Sequence, residues 1–113
     1  MAKVVTFDFD GTLTWVEWDP QAGVWINSDK PNWKMIRLLK RIHGRGYEVH
    51  VVTRRCSAWE ADDCPVQYET VKVGKFLEKH GLARYVTKVH FCGDRNWNGD
   101  KADILRELGS VRL

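Results

Sequence analysis

The amino-acid sequence predicts an α/β domain of the Rossmann-like, three-layer kind, with a mainly parallel sheet between helices. Three observations predict it. Apolar runs rich in Val, Phe and Tyr recur at about residues 3–9, 47–53 and 85–92. Stretches with helical spacing of apolar residues follow each of them, at about 31–43, 68–80 and 100–108. Strictly alternating strand and helix makes successive strands parallel, joined by right-handed crossovers. Asp8, Asp10, Thr53 and Asp94 all fall at or just past the ends of predicted strands, where parallel sheets carry their sites.

The first strand, residues 3–9, is an apolar run with Val4 and Val5, as suits burial on both faces. Its end holds two aspartates two residues apart, which share a face only while the chain stays extended. Gly11 then lets the chain turn. Two desolvated carboxylates are costly side by side, and a cation or a reaction that uses them offsets the cost. Residues 14–30 are too long for a simple turn. Two β-prone pieces flank Asp19-Pro20-Gln21-Ala22-Gly23, which predicts a small projecting hairpin.

Ser28 or Asp29 is the expected cap of the first helix, with Pro31 in its first turn. Trp33, Ile36, Leu39, Met35, Leu38 and Ile42 give that helix a broad apolar face. Lys34, Arg37, Lys40 and Arg41 form the other face, read as solvated surface, and Gly44 or Gly46 ends the helix. The strand at 47–53 leads into an irregular loop, 54–67, broken at Cys64-Pro65. The second helix, 68–80, turns Val73, Phe76 and Leu77 inward and stops at Gly81. His80, at its end, reads as a surface residue complementing the helix dipole. A polar loop, 93–99, precedes the third helix, for which Asp100 is the expected cap and Gly109 the stop. Val111-Arg112-Leu113 begins a last strand.

Length and composition bound the rest. At 113 residues, 43% hydrophobic and 29% charged, the chain suits one globular domain with a modest core. A net charge of +3 is too small to imply nucleic-acid binding by itself. No apolar run approaches the roughly 20 residues that cross a bilayer, and no signal peptide is evident. A cytoplasmic location without membrane contact is the expectation. The odd number of cysteines, Cys56, Cys64 and Cys92, suggests reduced thiols, and no tight C-x-x-C pair supports zinc.

The chemistry these residues suit is phosphate transfer. A carboxylate can attack phosphorus, and a second carboxylate nearby can protonate the leaving oxygen and later activate water. Mg²⁺ neutralises charge on such a site and takes carboxylate oxygens plus waters. Asp8-Phe9-Asp10-Gly11-Thr12-Leu13, after its apolar strand, resembles the first motif of the haloacid dehalogenase (HAD) superfamily, mostly Mg²⁺-dependent phosphatases. The resemblance implies a small HAD-like hydrolase without a large cap, in which Asp8 is the nucleophile and Asp10 the general acid/base. Val51-Val52-Thr53-Arg54-Arg55 is similar to the second motif, with Thr53 its hydroxyl. The hairpin stands where the family has a flap. Lys101 is the best match to the lysine of the third motif, ahead of Lys75 and Lys88.

The fourth motif has two alignments. In one, the corresponding strand is Val111-Arg112-Leu113, where the given sequence ends. The family's last acids are then missing and the terminal strand is incomplete. In the other, Gly93-Asp94 through Asp100 supplies it, and Asp94 joins Asp8 and Asp10 at Mg²⁺. Two functions therefore compete. One is a Mg²⁺-dependent phosphomonoesterase acting through an aspartyl-phosphate. The other is a catalytically impaired phosphate- or partner-binding module. Gly11 and Thr12, with Arg54 and Arg55, are candidates for holding a phosphorylated small molecule or nucleotide. Trp15, Trp18 and Trp25 are candidates for stacking on a base or sugar. An unfinished sheet edge makes a homodimer one way to complete the structure.

Overall fold

The structure, a computed structural model, describes residues 3–61, 71–95, 100–109 and 111–112. β1 (Val4–Asp8) runs into a wide turn, Phe9–Leu13, closed by the Thr14 amide on the Phe9 carbonyl. β2 (Thr14–Asp19) and β3 (Val24–Pro31) form an antiparallel hairpin with Trp18 opposite Trp25. α1 (Trp33–Gly44), β4 (Glu48–Thr53), α2 (Val73–Lys79), β5 (Lys88–Phe91), α3 (Ala102–Leu108) and β6 (Val111–Arg112) follow. The main sheet has the order β5-β4-β1-β6 and every pair in it is parallel.

Helices lie on both faces of β1 and β4, one face apolar and the other mixed, with Thr6 and His50 buried beside Val52. Val5, Phe7, Val49 and Val51 pack with Ile36 and Leu39 of α1 and with Val73, Phe76 and Leu77 of α2. Val52 and Cys92 pack on the opposite side with Ile104 of α3. The chain steps from β1 to β4 to β5, then returns to the far side of β1 as β6. The reversal makes the β1–β6 boundary a topological switch point, where a crevice opens at the carboxyl ends of the strands. Asp8 is the last residue of β1.

Four local expectations are corrected. The first helix starts later, because Pro31 still pairs with Thr14 in the hairpin. Asn32 rather than Ser28 or Asp29 is its cap. The Asn32 side chain accepts from the Met35 amide, and its own amide donates to the Leu13 carbonyl at 2.8 Å. Gly46, with φ +90°, makes the turn after the helix. Trp33 is half exposed rather than core, its ring edge-on to His80 at 5.5 Å. His80 is half-buried rather than on the open surface. It packs on Phe76 at 4.5 Å, and burial pushes its pKa down.

Within the described residues the second helix begins at Val73, not 68. Its cap comes from Glu60, whose carboxylate accepts from the amides of Val73 (3.1 Å) and Gly74 (2.8 Å). Residues 68–70, the Cys64-Pro65 break and most of the 93–99 loop lie outside the described residues. The third strand is shorter than expected, because residues 83–85 form a tight turn. Among the described residues, no helix is long and apolar enough to cross a membrane.

Candidate active site

Four of the expected residues converge at the carboxyl ends of β1 and β4. Asp8 ends β1 opposite Val52, one residue before Thr53. Asp10 lies in the wide turn, held there by the left-handed backbone of Gly11 (φ +76°). A side chain at Gly11 would also meet the Val16 methyl at 3.3 Å, so the hairpin sits directly over this turn. Thr53 is buried, and its hydroxyl accepts the Arg55 amide at 3.2 Å.

Each aspartate has its own cation. The Lys101 ammonium reaches Asp8 Oδ1 at 2.5 Å, with the two side chains 13% and 18% exposed. Lys101 stands immediately before α3, so the helix that covers the second sheet face also delivers it. The Asp100 carboxylate accepts the Ala102 amide at 2.9 Å and so helps to start that helix. Arg55 turns inward from the end of β4. Its Nε and Nη2 hold both oxygens of Asp10, at 3.0 and 2.6 Å. Its Nη1 donates to the Val71 carbonyl at 2.6 Å, and its guanidinium lies 5.0 Å from the Phe9 ring centre. The arginine expected to hold substrate is thus buried against the acid. Arg54 beside it is exposed.

The loops after β4 and β5 are locked together at Gly93. A Cβ there would stand 2.6 Å from Cys56 Sγ and 2.8 Å from the Arg54 carbonyl, so only glycine fits. The Gly93 amide donates to the Arg55 carbonyl at 3.2 Å. The Asp94 carboxylate accepts the Ser57 amide at 2.9 Å, and the Ser57 hydroxyl together with that amide holds its pKa below its ordinary value. Asp94 also lines a depression of about 430 Å³ with His90, Arg95 and Glu107. It is not gathered with Asp8 and Asp10. Cys92 is buried beneath the Lys101–Asp8 pair, and desolvation pushes its thiol pKa up.

Mg²⁺ keeps several waters and needs only one or two protein carboxylates. Of the carboxylates expected to hold it, Asp8 is paired with Lys101 and Asp10 with Arg55. Among the described residues, no group of three or more His, Cys, Asp or Glu comes together to hold a metal.

Sequence reasoning missed Gly93, Glu60 and the inward turn of Arg55. Gly93 carried a weak signal, a glycine directly after an apolar strand. Glu60 and Arg55 carried none, because their partners lie 13 and 45 residues away. On the hairpin, Trp15, Trp18 and Trp25 are all more than half exposed, and the rings of Trp18 and Trp25 meet edge to face at 5.4 Å. No protein-family model, curated protein or solved structure matches the chain.

Proposed function

We propose that the chain is a HAD-like, Mg²⁺-dependent phosphomonoester hydrolase working through an aspartyl-phosphate on Asp8. The observation that carries the reading is the pairing of Asp8 with Lys101 at the carboxyl end of β1, with Asp10 on the turn that follows. In the first step Asp8 Oδ forms a bond to phosphorus, the P–O ester bond breaks, and Asp10 gives the leaving oxygen its proton. In the second, water attacks the acyl-phosphate, Asp10 takes its proton, and phosphate and free Asp8 result. Lys101 balances charge on Asp8 and on the arriving phosphoryl oxygens. Mg²⁺, when bound to Asp8 and the Asp10 carbonyl, supplies further charge neutralisation.

Arg55 constrains the acid role. Both Asp10 oxygens are engaged by its guanidinium. Asp10 delivers a proton only after one of them is released, and an incoming phosphate dianion is a competitor for the same guanidinium. A non-catalytic phosphate-binding module is the second reading, favoured by that engagement and by the hold of Ser57 on the Asp94 carboxylate. Turnover of p-nitrophenyl phosphate with added Mg²⁺, measured on wild type and Asp8→Asn, separates them. Metal-dependent turnover lost in Asp8→Asn supports the hydrolase. Phosphate binding without turnover on a broad phosphoester panel refutes it.

A further inference from the structure

α1 carries the positive balance of the whole chain. Residues 30–47 hold six Lys or Arg and no Asp or Glu, while the remainder of the chain has more acids than cations. Lys30 is taken up by Glu17 at 2.6 Å, and Lys40 lies 5.7 Å from the Tyr85 ring centre. The other four, Lys34, Arg37, Arg41 and Arg45, are exposed and make no ion pair among the described residues. Spaced three or four apart, they share one outward stripe of the helix. Lys3, at the foot of β1, extends it, because the Lys3 carbonyl accepts the Glu48 amide just past Arg45.

The stripe has a direction. α1 begins beside the wide turn that carries Asp10, through the Asn32–Leu13 hydrogen bond, and ends at the amino ends of β1 and β4. Its twelve residues at 1.5 Å each give it a length of about 18 Å. At its lower end Lys3, Arg41 and Arg45 ring a depression of about 420 Å³ with Leu38, Ile42 and Tyr47 on its floor. At its upper end stands the exposed ring of Trp33, and from the Thr14–Pro31 pair at that end springs the hairpin that carries the exposed Trp18–Trp25 pair farther out.

We propose that this stripe is the track of a single-stranded nucleic acid whose end lies at the candidate active site. The proposal rests on the phosphatase reading for the end it presents, but not for the binding itself. Cations in a row neutralise successive phosphates, and aromatic faces accept any base. An acidic polypeptide matches the charge but leaves the tryptophans and the Tyr47 floor without planar partners.

The probe is a 3′-fluorescein, 5′-phosphorylated dT12, followed by anisotropy with wild type and the triple variant Arg37→Glu, Arg41→Glu, Arg45→Glu. All three positions are exposed, and a thermal melt confirms folding of the variant. Wild type is expected to bind dT12 at least about 30-fold more tightly than thymidine monophosphate. The slope of log K against log salt should lie near −3, about 0.7 for each of four or five phosphates. The triple variant should lose at least about 10-fold in affinity and most of the slope, with p-nitrophenyl phosphate turnover unchanged. Trp18→Ser with Trp25→Ser should weaken dT12 without changing the slope.

Salt-independent binding, equal affinity for dT12 and the mononucleotide, or an unaffected triple variant overturns the proposal. So does displacement of dT12 by polyglutamate or anionic phosphatidylserine vesicles at matched charge. If binding behaves as expected while wild type turns over no phosphoester, the track stands and the phosphatase reading falls. Turnover with salt-independent binding gives the reverse.

Discussion

Arg55→Ala should be among the most destabilising substitutions near the site, and the structure sets its size. The side chain is 3% exposed and makes two hydrogen bonds to Asp10 and one to the Val71 carbonyl. Deleting one partner of a buried ion pair costs about 3–5 kcal/mol, because the other charge stays behind unpaired. Asp10 is 24% exposed, so water reaches it and the lower end, about 3 kcal/mol, applies. With unfolding entropy near 2.1 cal/mol/K per residue, 113 residues give roughly 0.24 kcal/mol/K, and the melting temperature falls by about 12 °C. Arg55→Lys keeps the charge but not the fork, and should lose about half as much. Urea unfolding followed by tryptophan fluorescence measures both. A cycle with Asp10→Ala isolates the pair, with an expected coupling of about 1.5–3 kcal/mol. An Arg55→Ala variant within about 0.5 kcal/mol of wild type, or single variants that simply add, would refute the clamp.

Other perturbations test other joints of the molecule. Lys101→Met should lower turnover of p-nitrophenyl phosphate by about 100-fold or more, since it removes the charge beside the proposed nucleophile; unchanged turnover removes Lys101 from the site. Gly93→Ala forces a methyl against Cys56 Sγ and the Arg54 carbonyl and should cost about 1–3 kcal/mol in a urea melt. A neutral result there means that the two loops can separate freely. His80 and His90 both have pKa values lowered by burial from 6.5, His90 also by His50 and Lys88 against a smaller opposing pull from Glu107. A depressed histidine binds fewer protons folded than unfolded, so stability is full above pH 6.5 and declines as pH falls through the depressed values. Melts between pH 8 and 5 should show that decline, and His90→Asn should flatten it; an unchanged slope in the variant assigns the dependence elsewhere.

What was legible in the sequence was local. The apolar run ending in Asp8, the Asp19–Gly23 turn and the strand–helix alternation need only neighbours within a few residues, and the structure has all three. What was not legible depends on contacts across the chain. The start of α1 is set by Thr14 pairing with Pro31, which overrides the Ser28 cap; the Ser28 hydroxyl instead accepts the Lys30 amide within the strand. The start of α2 is set by Glu60, delivered from the turn after β4. Trp33 falls on the helical apolar pattern, yet the hairpin end and His80 leave it at the rim. Arg54 and Arg55 are indistinguishable by type, and only the position of Asp10 decides which turns inward.

The same contrast bears on the two acids. A spacing of two residues would place both carboxylates on one strand face, repelling each other. The chain avoids this by leaving the strand at Phe9, so that Asp8 belongs to β1 and Asp10 to the turn. Their cations then come from different elements, Lys101 from the start of α3 and Arg55 from the end of β4. They also differ in kind. An ammonium on a flexible stem is a point charge that can follow an oxygen as it moves, whereas a guanidinium fork fixes the plane of the carboxylate it grips. On the proposed reaction, the mobile cation accompanies the acid that must form a bond, and the rigid one orients the acid that must only exchange a proton. Exchanging the pairing would put the fork on the attacking oxygen, where it would resist the attack. A site built only to bind phosphate has no need of that difference, so unequal effects of Arg55→Lys and Lys101→Arg on turnover, each measured well below the variant's own melting temperature, are what the hydrolase reading requires.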